Sequence, residues 1–96
     1  MTAHYQIYGR VQGVGYRMFA VDCGRSLGLE GWVRNRGDGS VEAVARGPAA
    51  RLEQFEGQLR QGPPGARVRR VEARPLADEA AGIHPGTFET IYEERV

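Results

Sequence analysis

Lysine is absent from the 96-residue chain; all thirteen of its basic residues are arginine. Schiff-base chemistry, a lysine general base and a Walker-type phosphate loop are thereby excluded. Cysteine is almost absent too. Cys23 stands alone and cannot close an internal disulfide, as suits a reducing cytosol. The two histidines, His4 and His84, lie far apart with no partner at metal-ligand spacing, so neither a metal nor a cofactor is expected. No apolar run approaches the roughly 20 residues of a membrane span. Residues 1–9 also lack a basic stretch leading into an apolar one, so no membrane association and no secretory leader are expected, and the protein reads as soluble and cytoplasmic. Net charge is scarce: thirteen basic against twelve acidic residues leave +1. Such a balance supplies no bulk field to draw the chain onto nucleic acid or anionic lipid.

What is present fits one compact domain over residues 1–96, 41% hydrophobic and 26% charged. Residues 3–8 alternate as a strand, with Tyr5 and Ile7 on one face and His4, Gln6 and Tyr8 on the other. A glycine-punctuated loop follows. From Tyr16 to Leu27 the period becomes helical, with a stripe of Phe19, Cys23 and Leu27 thickened by Ala20 and Gly24, and Gly28 as a left-handed stop. Residues 30–36 and 40–46 read as strands joined through Gly37-Asp38-Gly39, a hairpin signal. Gly47-Pro48 opens a second helix, with Pro48 expected at its first position and Leu52, Phe55 and Leu59 as its buried stripe. Gly62-Pro63-Pro64-Gly65 ends it. An arginine-rich strand over 68–73 is expected near a sheet edge. There Val68 and Val71 can share a face only across a bulge. Residues 76–86 read as loop and 87–92 as a last strand, with Phe88 and Tyr92 opposite Ile91.

Two helices that each bury one stripe must lie on one face of a single sheet. The order βαββαβ plus a short C-terminal strand therefore implies an α+β, ferredoxin-like two-layer sandwich with a mixed, mostly antiparallel sheet. Right-handed crossovers place the first and third strands side by side at its centre.

The loop from Gln12 through Gly13, Val14, Gly15 and Tyr16 to Arg17 leaves a strand and enters a helix. Gly13 and Gly15 admit positive φ, so backbone amides there can curl around an anion, joined by the free N–H groups of the helix start. A cation at a helix N-terminus is unfavourable against the dipole unless an anion lies between them, which singles out Arg17. From the glycine spacing alone, a tight strand–helix connection with Arg17 pointing to water is the favoured reading.

The wider pattern separates the two. Gly9-Arg10-Val11-Gln12-Gly13-Val14-Gly15-Tyr16-Arg17, then residues 27–35 (LGLEGWVRN) and 38–42 (DGSVE), closely resemble the acylphosphatase family. The resemblance continues through Gly47-Pro48 and Gly62-Pro63-Pro64 to Phe88-Glu89-Thr90-Ile91-Tyr92, nearly the whole chain. It implies a sandwich of the kind derived above and hydrolysis of acyl phosphates to a carboxylate and inorganic phosphate. By motif position Arg17 matches the phosphate-binding arginine, Asn35 the asparagine that places the attacking water, and the amides of residues 12–17 the phosphate cradle. A small-molecule acyl phosphate is then the expected substrate, with inorganic phosphate or sulfate fitting the loop and a monomer sufficing. Tyr16 stands where phenylalanine is common in the family, and its hydroxyl needs a partner.

A site of this composition makes chemical sense. An acyl phosphate expels a carboxylate whose conjugate acid has a pKa of about 4, so it needs no general acid. Other candidates have plainer readings: Trp32 and Phe19 as packing, Cys23 as a small hydrophobe, Arg10, Arg34 and Arg36 as surface charge, and Arg67, Arg69, Arg70 and Arg74 as a solvated strand face. An RNA-recognition module is disfavoured because the strand 40–46 carries no aromatic residue. A sensing domain that keeps the anion loop without turnover stays open. The end of the chain at Val96 favours a free-standing enzyme over the front of a larger maturation protein.

Overall fold

The computed structural model describes residues 1–92; the last four residues of the expected domain, 93–96, lie outside the described residues. The elements are β1 (Thr2–Arg10), α1 (Tyr16–Ser26), β2 (Glu30–Asn35), β3 (Val41–Arg46), α2 (Ala49–Gln61), β4 (Arg67–Pro75) and β5 (Phe88–Thr90). A one-turn 3-10 helix at Asp78–Ala80 interrupts the segment read as loop. The five strands form one sheet in the order β4-β1-β3-β2-β5. All pairings are antiparallel except β2 with β5, which is parallel. The expected ferredoxin-like sandwich is thus the observed one, with β1 and β3 adjacent at the centre and β4 at an edge.

Alternation along the strands sorts the two faces. Tyr5, Ile7, Val33, Val41, Ala43, Ala45, Val71 and Phe88 are buried in one cluster with the helices. Tyr5 and Phe88 each pack edge-on against Phe55 of α2, at 5.4 and 5.5 Å between ring centroids. The β1–β4 register shifts at Tyr8 and Gly9, which face Arg70 and Val68, so Arg69 is the extra residue. That is the bulge that Val68 and Val71 required. Gly9 is necessary there: at φ +132°, a Cβ would stand 2.1 Å from the Arg67 carbonyl oxygen.

Several local expectations need correction. The stripe α1 buries runs through Tyr16, Ala20, Val21 and Gly24, while Phe19, Cys23 and Leu27 are only half-buried at its flank. The reason is Phe88. A Cβ on Gly24 would come within 2.4 Å of its ring, so the smallest residue marks the closest approach rather than a gap. Gly28 does stop the helix: its amide donates to Arg25 and that of Leu29 to Gly24, the paired bonds of a Schellman turn. Pro48 is not the first residue of α2 but its cap, with extended backbone (ψ 145°). Its carbonyl accepts from the amides of Arg51 and Leu52. The last strand spans Phe88–Thr90 rather than 87–92, although Gly31 N–H still donates to Thr87 and Ile91 N–H to Val33 at its two ends. Tyr92 leaves the sheet and is exposed.

Among the described residues the opposite face of the sheet has no α-helix over it. Part is covered by the segment after β4, where Trp32 Nε1 donates to the Ala81 carbonyl at 2.6 Å. At its centre, buried Glu42 accepts from Arg34 Nε at 2.7 Å and Arg36 at 3.0 Å, and pairs with His4 Nε2 at 2.6 Å. Arg34 and Arg36 are therefore not loose surface charge. One carboxylate ties β1, β2 and β3 together beneath the hairpin that follows Asn35.

Candidate active site

The loop between β1 and α1 is built by alternating backbone signs. Gly13 (φ +77°) and Gly15 (φ +78°) lie in the left-handed region, and among the described residues no non-glycine residue has positive φ. Left-handed residues alternating with ordinary ones are the backbone signature of an anion-binding nest. Gly15 is also the N-cap of α1, with no side-chain hydrogen bond to the cap and no acidic residue in the first turn. Among the described residues, no carbonyl or side chain accepts from the amides of residues 13–17. These unpaired donors stand at the positive end of the α1 dipole.

Beside this loop lies a cleft of about 560 Å³ whose walls include Gly13, Gly15, Tyr16, Arg17 and Asn35. Topology explains the meeting of the last two. Asn35 ends β2, Arg17 sits in the first turn of α1, and α1 packs over β2 and β5. The Arg17 guanidinium lies 5.1 Å from the centroid of the Tyr92 ring, which also lines the cleft. The Oδ1 atom of Asn35 is buried and has no hydrogen-bond partner among the described residues. Two side chains of the expected cradle, whose backbone amides are the expected donors, turn away from the cleft. Val14 is half-buried and packs against the core, and the Gln12 side chain turns to the β2–β3 hairpin.

That turn of Gln12 is a contact the sequence did not disclose. Its Nε2 donates to the carbonyls of Arg36 at 2.8 Å and Ser40 at 2.9 Å, clasping the loop to the hairpin beyond Asn35. Within the hairpin, Asp38 Oδ1 accepts from the Ser40 amide and hydroxyl, and these bonds hold its carboxyl below the usual carboxylate range. The partner for the Tyr16 hydroxyl is equally specific: it donates to the Leu59 carbonyl at 2.7 Å, and burial pushes its pKa well up. Burial, with nearby Asp22 adding to it, also raises the Cys23 thiol. A protonated, half-buried thiol is a packing group, not a nucleophile. Among the described residues no three His, Cys, Asp or Glu side chains gather as a metal-ligand set, and no helix is long and apolar enough to cross a membrane.

Comparison with known proteins agrees with this geometry. The acylphosphatase family model matches residues 3–88. An acylphosphatase from Thermococcus kodakarensis is 56% identical over 74 residues, covering 77% of this chain and 81% of that one. The crystal structure of acylphosphatase from Bacillus subtilis superposes with a TM-score of 0.83 at 33% identity, covering 95% of this chain and 98% of that one. An acylphosphatase structure from Coxiella burnetii gives a TM-score of 0.84 at 30% identity over 94% and 90% of the two chains. With a family match over most of its length and this level of identity to curated relatives, the chain belongs to the acylphosphatase family.

Proposed function

We propose that the protein hydrolyses the carboxyl–phosphate bond of small-molecule acyl phosphates, with the phosphoryl group held by the amides of residues 13–17 and by Arg17, and the attacking water placed by Asn35. The observation that carries this reading is the single cleft wall shared by the free-amide loop, Arg17 and Asn35. The guanidinium forks two phosphoryl oxygens while the amides take the remaining charge, so the negative charge of the transition state meets donors already in place. The Asn35 carboxamide cannot remove a proton, but it holds water in line with the leaving oxygen. The water oxygen bonds to phosphorus as the bond from phosphorus to the acyl oxygen breaks. The carboxylate departs with that electron pair, and the water's proton passes to a phosphoryl oxygen. Phosphoryl transfer of this kind is mostly positioning and charge stabilisation, which is what amides, Arg17 and Asn35 can provide. All of these groups come from one chain, so a monomer suffices.

The test is hydrolysis of benzoyl phosphate by the wild-type protein in chelator-treated buffer, with inorganic phosphate added as a competitor. Turnover with competitive inhibition by phosphate is expected. Absence of turnover at any protein concentration would leave a domain that binds anions without hydrolysing them.

A further inference from the structure

The cleft extends beyond the glycine loop, and its outer rim carries two exposed apolar side chains. Among the described residues three large hydrophobic side chains are strongly exposed, and two of them, Met18 and Tyr92, line this same cleft, each 71% exposed. Water-exposed side chains of this size cost solvation free energy, and their gathering at one mouth marks a contact surface. Met18 follows Arg17 on α1, and the Tyr92 ring lies against the Arg17 guanidinium. A substrate whose phosphoryl group is held by Arg17 therefore projects its acyl group between a thioether and an aromatic face. The polar groups of the rim carry both signs: Arg25, which donates through Nε to the Phe88 carbonyl at 3.1 Å, and two carboxylates, Asp22 and Glu89, the latter against His84 Nδ1 at 2.7 Å.

We propose that Met18 and Tyr92 form the acyl-group subsite of this cleft, selecting apolar and above all aromatic acyl phosphates over short or dicarboxylic ones. This inference rests on the acyl phosphatase reading above. Tyr92 gives flat stacking area at little entropic cost, and Met18 adapts its shape to the group opposite. A methyl group, as in acetyl phosphate, is too small to reach both. The free carboxylate of succinyl phosphate would have to leave water for a thioether and a ring, with Asp22 and Glu89 in the same wall offsetting Arg25.

The experiment compares kcat/KM for benzoyl, acetyl and succinyl phosphate in the wild type, Met18→Ala, Tyr92→Ala and Tyr92→Phe. In Tyr92→Ala the benzoyl-to-acetyl ratio is expected to fall about tenfold, and in Met18→Ala about threefold, as suits loss of stacking or apolar contact. Tyr92→Phe keeps the ring and should keep the ratio. The double variant Asp22→Asn/Glu89→Gln is expected to raise succinyl phosphate turnover relative to acetyl phosphate. Both rim residues are exposed, so unchanged thermal midpoints should accompany these shifts. Wild-type activity with ratios that do not change in Tyr92→Ala and Met18→Ala would overturn the subsite and leave the hydrolase reading standing. Inactivity of the wild type toward all three substrates would overturn both.

Discussion

The hydroxyl of Tyr16 reaches across the helical layer to the carbonyl of Leu59, 2.7 Å away and buried. Leu59 needs it because the amide that would close its helical turn belongs to residue 63, a proline with no N–H. The residue beside Arg17 thus caps the end of α2, joining the head of one helix to the tail of the other. Tyr16→Phe leaves a buried carbonyl unpaired, at a cost of about 1–3 kcal/mol. Expected in urea denaturation is a lower midpoint with an unchanged slope, while kcat/KM measured well below the transition stays within about threefold.

Gln12 carries its own test. Its side chain bonds to two carbonyls of the hairpin that follows Asn35, so under the proposed mechanism it sets the spacing between loop and Asn35 rather than touching the phosphoryl group. Gln12→Ala is expected to lower kcat by about tenfold, as a misplacement of catalytic groups does. The inhibition constant of inorganic phosphate should change far less, since the loop amides remain. A loss confined to phosphate affinity with kcat intact would assign Gln12 to binding instead.

The carboxyl of Glu42 gives a pH dependence with a definite sign. Burial pushes its pKa up, but hydrogen bonds from His4, Arg34 and Arg36 outweigh this and leave it below its ordinary value. A carboxyl depressed on folding stabilises the fold above the unfolded value of about 4.5, and that contribution is lost as pH falls through the folded value. Glu42→Gln is expected to cost about 1.5–3 kcal/mol at pH 7. The gap between the two proteins in denaturation midpoint should narrow below about pH 4.5. A gap that stays constant from pH 7 to pH 3 would contradict the charge-assisted role.

Two glycines separate loop function from fold. A Cβ on Gly15 meets nothing within 4 Å, so Gly15→Ala pays only for left-handed backbone, about 1–2 kcal/mol, and turns amides of the cradle. Its phosphate inhibition constant should rise about tenfold with the fold retained. A Cβ on Gly9 would strike backbone atoms of Arg67 and Arg69 at the bulge. Gly9→Ala should therefore lower the thermal midpoint by about 10 °C or more.

The order of elements, the central β1–β3 pair and the bulged edge strand were legible because each is enforced locally, by alternation, turn glycines or a broken period. Asn35 was singled out by the family resemblance, and topology, a strand end beside a helix head, puts it with Arg17 on one cleft. The buried face of α1 was not. Ala20 and Gly24 look weakly apolar, and only the Phe88 ring, more than sixty residues further along, explains why small residues belong there. Arg34 and Arg36 looked like surface charge because their partner, Glu42, sits mid-strand; a lone carboxylate in an otherwise apolar strand was the available clue. The Gln12 clasp joins a loop to backbone carbonyls, and carbonyls leave no trace in residue type.

Everything said of mechanism depends on the planar fork of Arg17 and the amide of Asn35, and one steady-state measurement reaches both. It is kcat/KM for benzoyl phosphate in the wild type, Arg17→Lys, Arg17→Ala and Asn35→Ala, with circular dichroism to confirm the fold. Losses of about 10³-fold or more are expected in all three variants, Arg17→Lys included, because an ammonium cannot fork two oxygens. Folded Arg17→Lys or Asn35→Ala protein with activity within tenfold of wild type would contradict the roles assigned to this cleft.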